Sequence, residues 1–172
     1  MSNKHITHDE LTRNFHLLRS DPAKYLEMAN QLVRENPDDR HAYFSRHQAW
    51  AQIGCRDLAL ADLDKSLSLE PHYVTHRARG KILRDMGRYR EAIDAFNRCQ
   101  EMDPIAWVNA LGPLLRADCY ANLGDEDAAI ADCMSLRDEH WTPGIFGTPA
   151  GNKLEVATEL RRIAAEARAR NR

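Results

Sequence analysis

The sequence predicts an all-α protein built as an array of helical hairpins, and three observations predict it. Prolines at 37, 71 and 104 stand 34 and 33 residues apart. Glycines at 54, 87 and 124 are each followed five residues later by an alanine, at 59, 92 and 129. A large side chain (Trp50, Leu83 or Tyr120) precedes each glycine by four residues, and Leu63, Phe96 or Cys133 follows each alanine by four. Self-similarity at a period of roughly 20–50 residues marks a stacked array, in which each unit leaves an apolar face that only a neighbour covers.

The elements follow in order. Leu11, Phe15 and Leu18 predict a short helix, and Asp21-Pro22 opens a second through Glu35, with aspartate as N-cap and proline at the first helical position. Tyr25, Leu26, Ala29, Leu32 and Val33 form its apolar face. In Arg40 to Ile53, the residues Ala42, Tyr43, Ala49, Trp50 and Ile53 recur at helical spacing. Gly54 ends that helix, because glycine takes the left-handed conformation at low cost. A partner helix runs from about Leu58 to Leu69, and Pro71 stops it by lacking an N–H and driving Glu70 out of the helical region. The same hairpin recurs from Tyr73 to Pro104 and from about Ala110 to Arg137. In the third, five extra residues, Ile105 to Asn109, make the first helix longer or offset, with a kink at Gly112-Pro113. A proline- and glycine-rich loop fills 141–152, and a last helix runs from about Lys153 to Ala167, with Leu154, Ala157, Leu160, Ile163, Ala164 and Ala167 apolar.

These residues make the chain resemble a tetratricopeptide repeat (TPR) protein. The diagnostic places are held by Tyr43, Trp50, Gly54, Ala59, Leu63 and Pro71, then by Gly80, Leu83, Gly87, Ala92, Phe96 and Pro104, then by Ala117, Tyr120, Gly124, Ala129 and Cys133. In the third unit Pro113 replaces the first aromatic, and the closing proline is displaced to Pro143. The resemblance implies a right-handed α-solenoid of TPR helix-turn-helix repeats with a C-terminal capping helix. It implies one domain over 1–172: a degenerate repeat at 8–37, repeats at 40–71 and 73–104, a divergent repeat at 105–140, the loop at 141–152 and the cap at 153–170. The first of these lacks both the glycine and the alanine.

Composition bounds the function. The 172 residues are 43% hydrophobic and 29% charged, a globular balance, and 24 Lys+Arg against 26 Asp+Glu leave a formal charge of −2. That field is too weak to predict a nucleic-acid or anionic-membrane partner. No apolar run approaches the ~18 residues of a membrane span, and the first ten residues lack a signal-peptide core. Cys55, Cys99, Cys119 and Cys133 are widely spaced, which suits a reducing compartment, so a cytoplasmic location is expected.

Chemistry is sparse. His72 and His76 are one helical turn apart but lack a third ligand nearby, and His72 falls in a turn, so no metal is expected. Cys99, Cys119 and Cys133 fall at packing positions, and Cys55 at an exposed turn. No nucleophile elbow, phosphate loop or zinc-hydrolase motif occurs, so neither a catalytic residue nor a cofactor is expected. An arginine stands at the seventh place of each unit (Arg46, Arg79, Arg116), and sixteen residues on come Asp62, Ala95 at the corresponding place of the second unit, and Asp132. Two readings stand: a ligand-binding ladder, or ion pairs locking the helices. The second predicts Arg46–Asp62 and Arg116–Asp132 pairs, with Arg79 turned to the preceding repeat, Asp62 nearest, or to solvent.

Function then falls to the concave surface that the family uses to bind a partner peptide or helix. Carried over place by place, the groove residues are His41, Phe44, Gln48 and Ala51; Val74, Arg77, Lys81 and Arg84; Leu111, Leu114, Asp118 and Ala121. Arg77, Lys81 and Arg84 make a basic row that suits an acidic peptide with one or two apolar anchors, met by Phe44 and Leu114. Phe44 and Gln48 stand where chaperone-tail carboxylate clamps carry lysine and asparagine, which disfavours that partner. Trp141 and Phe146 offer a second set of anchors. The expected function is a non-catalytic adaptor or scaffold for protein–protein interaction; alternatives are a dedicated chaperone for secreted proteins and, remotely, an enzyme.

Overall fold

The computed structural model describes residues 9–10, 15–136, 142–143 and 150–171. Its chain divides into two compact units, 1–82 and 83–172.

In the first unit, α1 (Phe15–Ser20) and α2 (Pro22–Glu35) form the upstream hairpin, α3 (Arg40–Ile53) and α4 (Arg56–Leu69) the next, and α5 (Tyr73–Asp85) begins a third. The helix ends are made by the expected chemistry. Asp21 accepts from the Lys24 N–H at 3.0 Å with Pro22 behind it, and Asp39 accepts from the His41 N–H at 2.9 Å. Gly54 takes φ 89°, which lets the Cys55 N–H reach the Trp50 carbonyl at 2.8 Å. Glu70 is extended ahead of Pro71. Within the α3–α4 hairpin, Ser66 donates to the Arg40 carbonyl at 3.0 Å, and Ala42, Ala49, Ala59 and Leu63 are fully buried.

The upstream hairpin obeys the repeat rule with its sizes exchanged. Alanine holds the fourth place of α4, Ala59, while the eighth is Leu63. In α2 the fourth place is Tyr25 and the eighth is Ala29, both buried in one cluster with Leu18, Leu32, Ala42 and Ala49. A large residue and a small one trade places, so the core fills to similar volume.

In the second unit, α6 (Tyr89–Met102) is followed by α7 (Pro104–Asn109), α8 (Gly112–Asn122), α9 (Glu126–Met134), a two-residue antiparallel pairing of β1 (Thr142–Pro143) with β2 (Ala150–Gly151), and α10 (Lys153–Arg170). The extra residues of the third repeat form a separate short helix. Asp103 caps it at the Ala106 N–H, 2.9 Å, and Leu111 breaks it from α8 by adopting φ 55°. A left-handed non-glycine residue costs roughly 1–2 kcal/mol, and the gain is Trp107, 1% exposed and 5.6 Å from the Phe96 ring. Gly112 is required beside it, since a Cβ there would lie 2.1 Å from the indole.

The capping helix α10 starts from a complete Asn152–Glu155 capping box and packs on both α8 and α9. Val156, Ala157, Leu160 and Ala164 join Leu114, Ala117, Ala121, Ala129 and Cys133 in one core. Arg168 ties its far end to the Gly124 carbonyl at 3.0 Å and to Glu126 at 2.8 Å.

Several expectations are corrected. The second helix of the first full repeat starts at Arg56 because Cys55 ends the turn; Leu58 and Ile53 are surface residues, 48% and 43% exposed. Leu154, in the first turn of the cap ahead of the packed stripe, is 69% exposed. The third repeat breaks at Leu111, ahead of the expected kink. Trp141, Phe146, Leu11 and most of the 141–152 loop lie outside the described residues.

Candidate partner-binding surface

The arginines at the seventh place are structural, not a ligand ladder. Arg46 donates to both carboxylate oxygens of Asp62, Nε at 2.8 Å and Nη2 at 2.6 Å, and its Nη1 donates to Asn30 at 3.2 Å. Arg116 repeats the arrangement: Nε and Nη2 each reach Asp132 at 2.7 Å, while Nη1 reaches Asn97 at 2.6 Å and Gln100 at 2.7 Å. Arg116 also lies 5.3 Å over the Trp107 ring. Arg79 turns to the preceding repeat, but to Asp64 at 2.7 Å and not to Asp62, which Arg46 already occupies. The rule is positional. Asn30, Asp64 and Asn97 all hold the ninth place of a second helix, so each arginine stitches its own helix backward to the hairpin before it. Where the seventh place of its own second helix is aspartate, it stitches forward as well. The sequence spacing of fifteen to nineteen residues held that backward signal, in polar residues that differ in type.

In the first unit, the faces of α3 and α5 carry His41, Phe44, Gln48, Val74, Arg77 and Lys81, all partly exposed. At the N-terminal ends of the two helices Phe44, Val74, His41, Arg40, His72 and Thr75 line an open cavity of about 230 Å³. His72 accepts from the Val74 N–H through Nδ1 at 3.3 Å, which keeps that nitrogen unprotonated, and its pKa is held down by burial and by Arg40. Phe44 rests on His47, ring centroids 4.5 Å apart. His47 takes the eighth place of α3, where the other repeats carry Gly80 and Ala117, and sequence reading passed over it. It is 6% exposed, its Nδ1 meets the Phe44 carbonyl, and burial, with help from Lys81, pulls its pKa down to about 4. Gln48 accepts from the Tyr25 hydroxyl at 3.1 Å, a contact that reaches the groove from the upstream hairpin.

In the second unit the expected groove residues Arg84, Leu114, Asp118 and Ala121 are buried, and Leu111 is partly buried. Leu114 is 2% exposed and lies in the core beneath Val156 and Leu160 of α10, so it cannot anchor a partner. Arg84 is 7% exposed and bonded to Asp85 at 2.8 Å, with Asp118 at 3.8 Å, so it is not part of a solvated basic row. Asp118 is itself 8% exposed, and burial raises its pKa against the pull of Arg84. Beside this pair a charged cavity of about 550 Å³ is bordered by Asp85, Tyr89, Ile163, Glu166 and Arg170. The cap was expected from the sequence, but not that it would cover these positions. Its apolar stripe lies on α8 and α9 and covers Leu114 and Ala121.

Among the described residues no group of three or more His, Cys, Asp or Glu is placed to hold a metal ion. Cys99, Cys119 and Cys133 are buried thiols, and burial raises the pKa of Cys119 and Cys133. No helix among those residues is long and apolar enough to cross a membrane.

Helix pairs punctuated by glycine, wedged by alanine and closed by a packed terminal helix define a helical-repeat protein, a class whose exposed helix faces serve protein–protein interaction. The chain contains a tetratricopeptide repeat: residues 74–105 match the model of the tetratricopeptide repeat family. It is 30% identical over 80 residues to a small glutamine-rich tetratricopeptide repeat-containing protein 2 of Mycosarcoma maydis, covering 46% of this chain and 23% of that one. It is 31% identical over 88 residues to the human protein SGT1 homolog, covering 51% and 24%. The chain thus spans about a quarter of the length of these curated relatives. Among solved structures, MamA from Desulfovibrio magneticus RS-1 superposes with a TM-score of 0.68 at 21% identity, over 96% of this chain and 94% of that one. A MamA RS-1 double mutant gives 0.69 at 19% identity, over 97% and 98%. At such identity the likeness is one of fold.

Proposed function

We propose that the chain is a non-catalytic adaptor whose α3–α5 face, in the first unit, receives an acidic peptide segment bearing an apolar side chain. One observation carries this reading. Phe44 and Val74 flank an open, largely apolar cavity, and Arg77 and Lys81 follow Val74 along α5 at helical spacing. An apolar side chain seated in the cavity would bring neighbouring carboxylates toward that basic pair. The anchor supplies desolvation and the charges supply encounter rate and selectivity. The equivalent places on α8 are occupied by the protein's own cap, which restricts the surface to the first unit's helices.

The test is a peptide library displayed on phage and selected on the full chain. Selected peptides should combine Asp or Glu with an aromatic or aliphatic residue. Reversing both charges, Arg77→Glu with Lys81→Glu, should weaken the best peptide about tenfold or more, since two exposed pairs of ~0.2–1 kcal/mol each turn repulsive. Raised salt should weaken the wild-type complex in the same direction. Equal affinity of both proteins at low salt would refute the reading, as would selected peptides without acidic residues.

A further inference from the structure

We infer that Tyr25, in the hairpin upstream of the groove, is a specificity-determining residue: it fixes the Gln48 side chain so that Gln48 offers only hydrogen-bond donors to the partner. This rests on the reading that the α3–α5 face is the binding surface.

The argument starts from a proton that must go somewhere. Tyr25 is 1% exposed, held in α2 among Ala29, Leu32, Ala42 and Ala49. A buried phenol must place its O–H on an acceptor, because water is shut out. Its hydroxyl lies 3.1 Å from the Gln48 Oε1, and burial pushes its pKa up to about 12, so it stays a donor across the working pH range. An amide that accepts through its oxygen turns its NH₂ the other way, and that group carries two protons and no free lone pair. No hydrogen bond of the Gln48 nitrogen to a described residue is among its contacts, and the residue is partly exposed.

An unconstrained glutamine is ambivalent, since rotating its amide by half a turn exchanges donor for acceptor. Tyr25 removes that freedom. The basic residues of α5, Arg77 and Lys81, are cations that only donate. Gln48 therefore joins them as a third donor, and the partner that fits presents acceptors: carboxylates and the carbonyls of an extended backbone. A partner turning an N–H or an ammonium toward Gln48 would leave a donor facing a donor. Tyr25 touches no partner in this scheme, so it is a positioning residue. It is able to play that part because the upstream hairpin carries a tyrosine where the other second helices carry alanine.

The experiment uses the full chain and the tightest acidic peptide from the phage selection, read by fluorescence anisotropy. Tyr25→Phe keeps the ring and removes the proton, and should weaken the peptide about 3- to 10-fold. Repeating the selection on this variant should yield peptides with a relaxed requirement for an acidic residue opposite Gln48. Gln48→Met, which leaves Tyr25 intact, should cause a comparable loss, and Tyr25→Phe added to it should cost nothing more. That last result separates positioning from general loosening, because loosening would weaken binding in either background. An equal loss on adding Tyr25→Phe to Gln48→Met would overturn the inference. So would unchanged binding by Gln48→Met, even if Tyr25→Phe failed to fold. If the Arg77 and Lys81 reversals weaken the peptide while both single variants bind normally, the inference fails and the binding surface stands. If the reversals themselves are inert, the surface fails first.

Discussion

Removing Asp132 should cost the fold far more than removing Asp64, although each accepts from a repeat arginine at 2.7 Å. The difference is burial. Arg116 and Asp132 side chains are each 12% exposed, whereas Arg79 and Asp64 are 25% and 55% exposed. Deleting one partner of a buried pair strands the other charge, at a cost of roughly 3–5 kcal/mol. Arg116 keeps Asn97, Gln100 and the Trp107 ring as partial compensation, so the lower end applies and Asp132→Ala should lose ~3 kcal/mol. Asp64→Ala, at a solvated pair, should lose ~1 kcal/mol or less. Asp62→Ala, whose carboxylate is 5% exposed against an arginine 24% exposed, should fall between them. Urea unfolding followed by far-UV circular dichroism reads all three on one scale. Losses equal within about 0.5 kcal/mol, the usual limit of additivity, would show that solvent access does not grade these clamps. A double variant removing Arg116 as well as Asp132 should recover part of the loss, because no buried charge is left alone.

Ala59→Leu and Ala92→Leu should each destabilise by ~1–3 kcal/mol, since both alanines are fully buried at close helix approach; an unchanged thermal melt would mean the repeat register is misassigned. Acid should weaken the fold through His47: neutral down to about 4 when folded, it takes a proton below pH 6.5 when unfolded. The unfolded state therefore binds more protons in that window, and stability should fall as pH drops through it, by ~3 kcal/mol from this residue at pH 4. His47→Asn should flatten that part of the stability–pH curve, and a curve as steep as wild type would assign the loss elsewhere.

What was legible in the sequence was punctuation. Arg40–Ile53 was readable because its apolar residues recur at helical spacing and Gly54 ends it, and Ala59, Ala92 and Ala129 are fully buried. The Arg46–Asp62 and Arg116–Asp132 pairs were readable because register alone brings them together. The break at Leu111 was not, since nothing in a leucine announces a left-handed backbone, and the compensation lies in the burial of Trp107. The upstream hairpin looked degenerate because its large and small residues had changed places and because it lacks the turn glycine. The groove was half legible: helix phase put Phe44 and Lys81 on one surface, but the cap, which starts twenty residues beyond Cys133, decides that Leu114 is interior. Register within a repeat is local, whereas what covers a repeat is settled by the rest of the chain.

The short helix Pro104–Asn109 bears on how such an array accommodates change. Glycine-to-glycine spacing lengthens from 33 residues (54 to 87) to 37 (87 to 124), yet α8 and α9 still set Ala129 as a buried wedge and still join Arg116 to Asp132 and Asn97. The surplus is absorbed at the joint between hairpins, and the count restarts correctly on the far side. Inter-hairpin turns thus behave as expansion joints, where residues can be gained without rewriting the pattern downstream. Equal insertions inside α8 or α9 would rotate the wedge alanine and the clamp away from their partners. Tolerance to lengthening should therefore alternate along the chain with the period of the repeat itself.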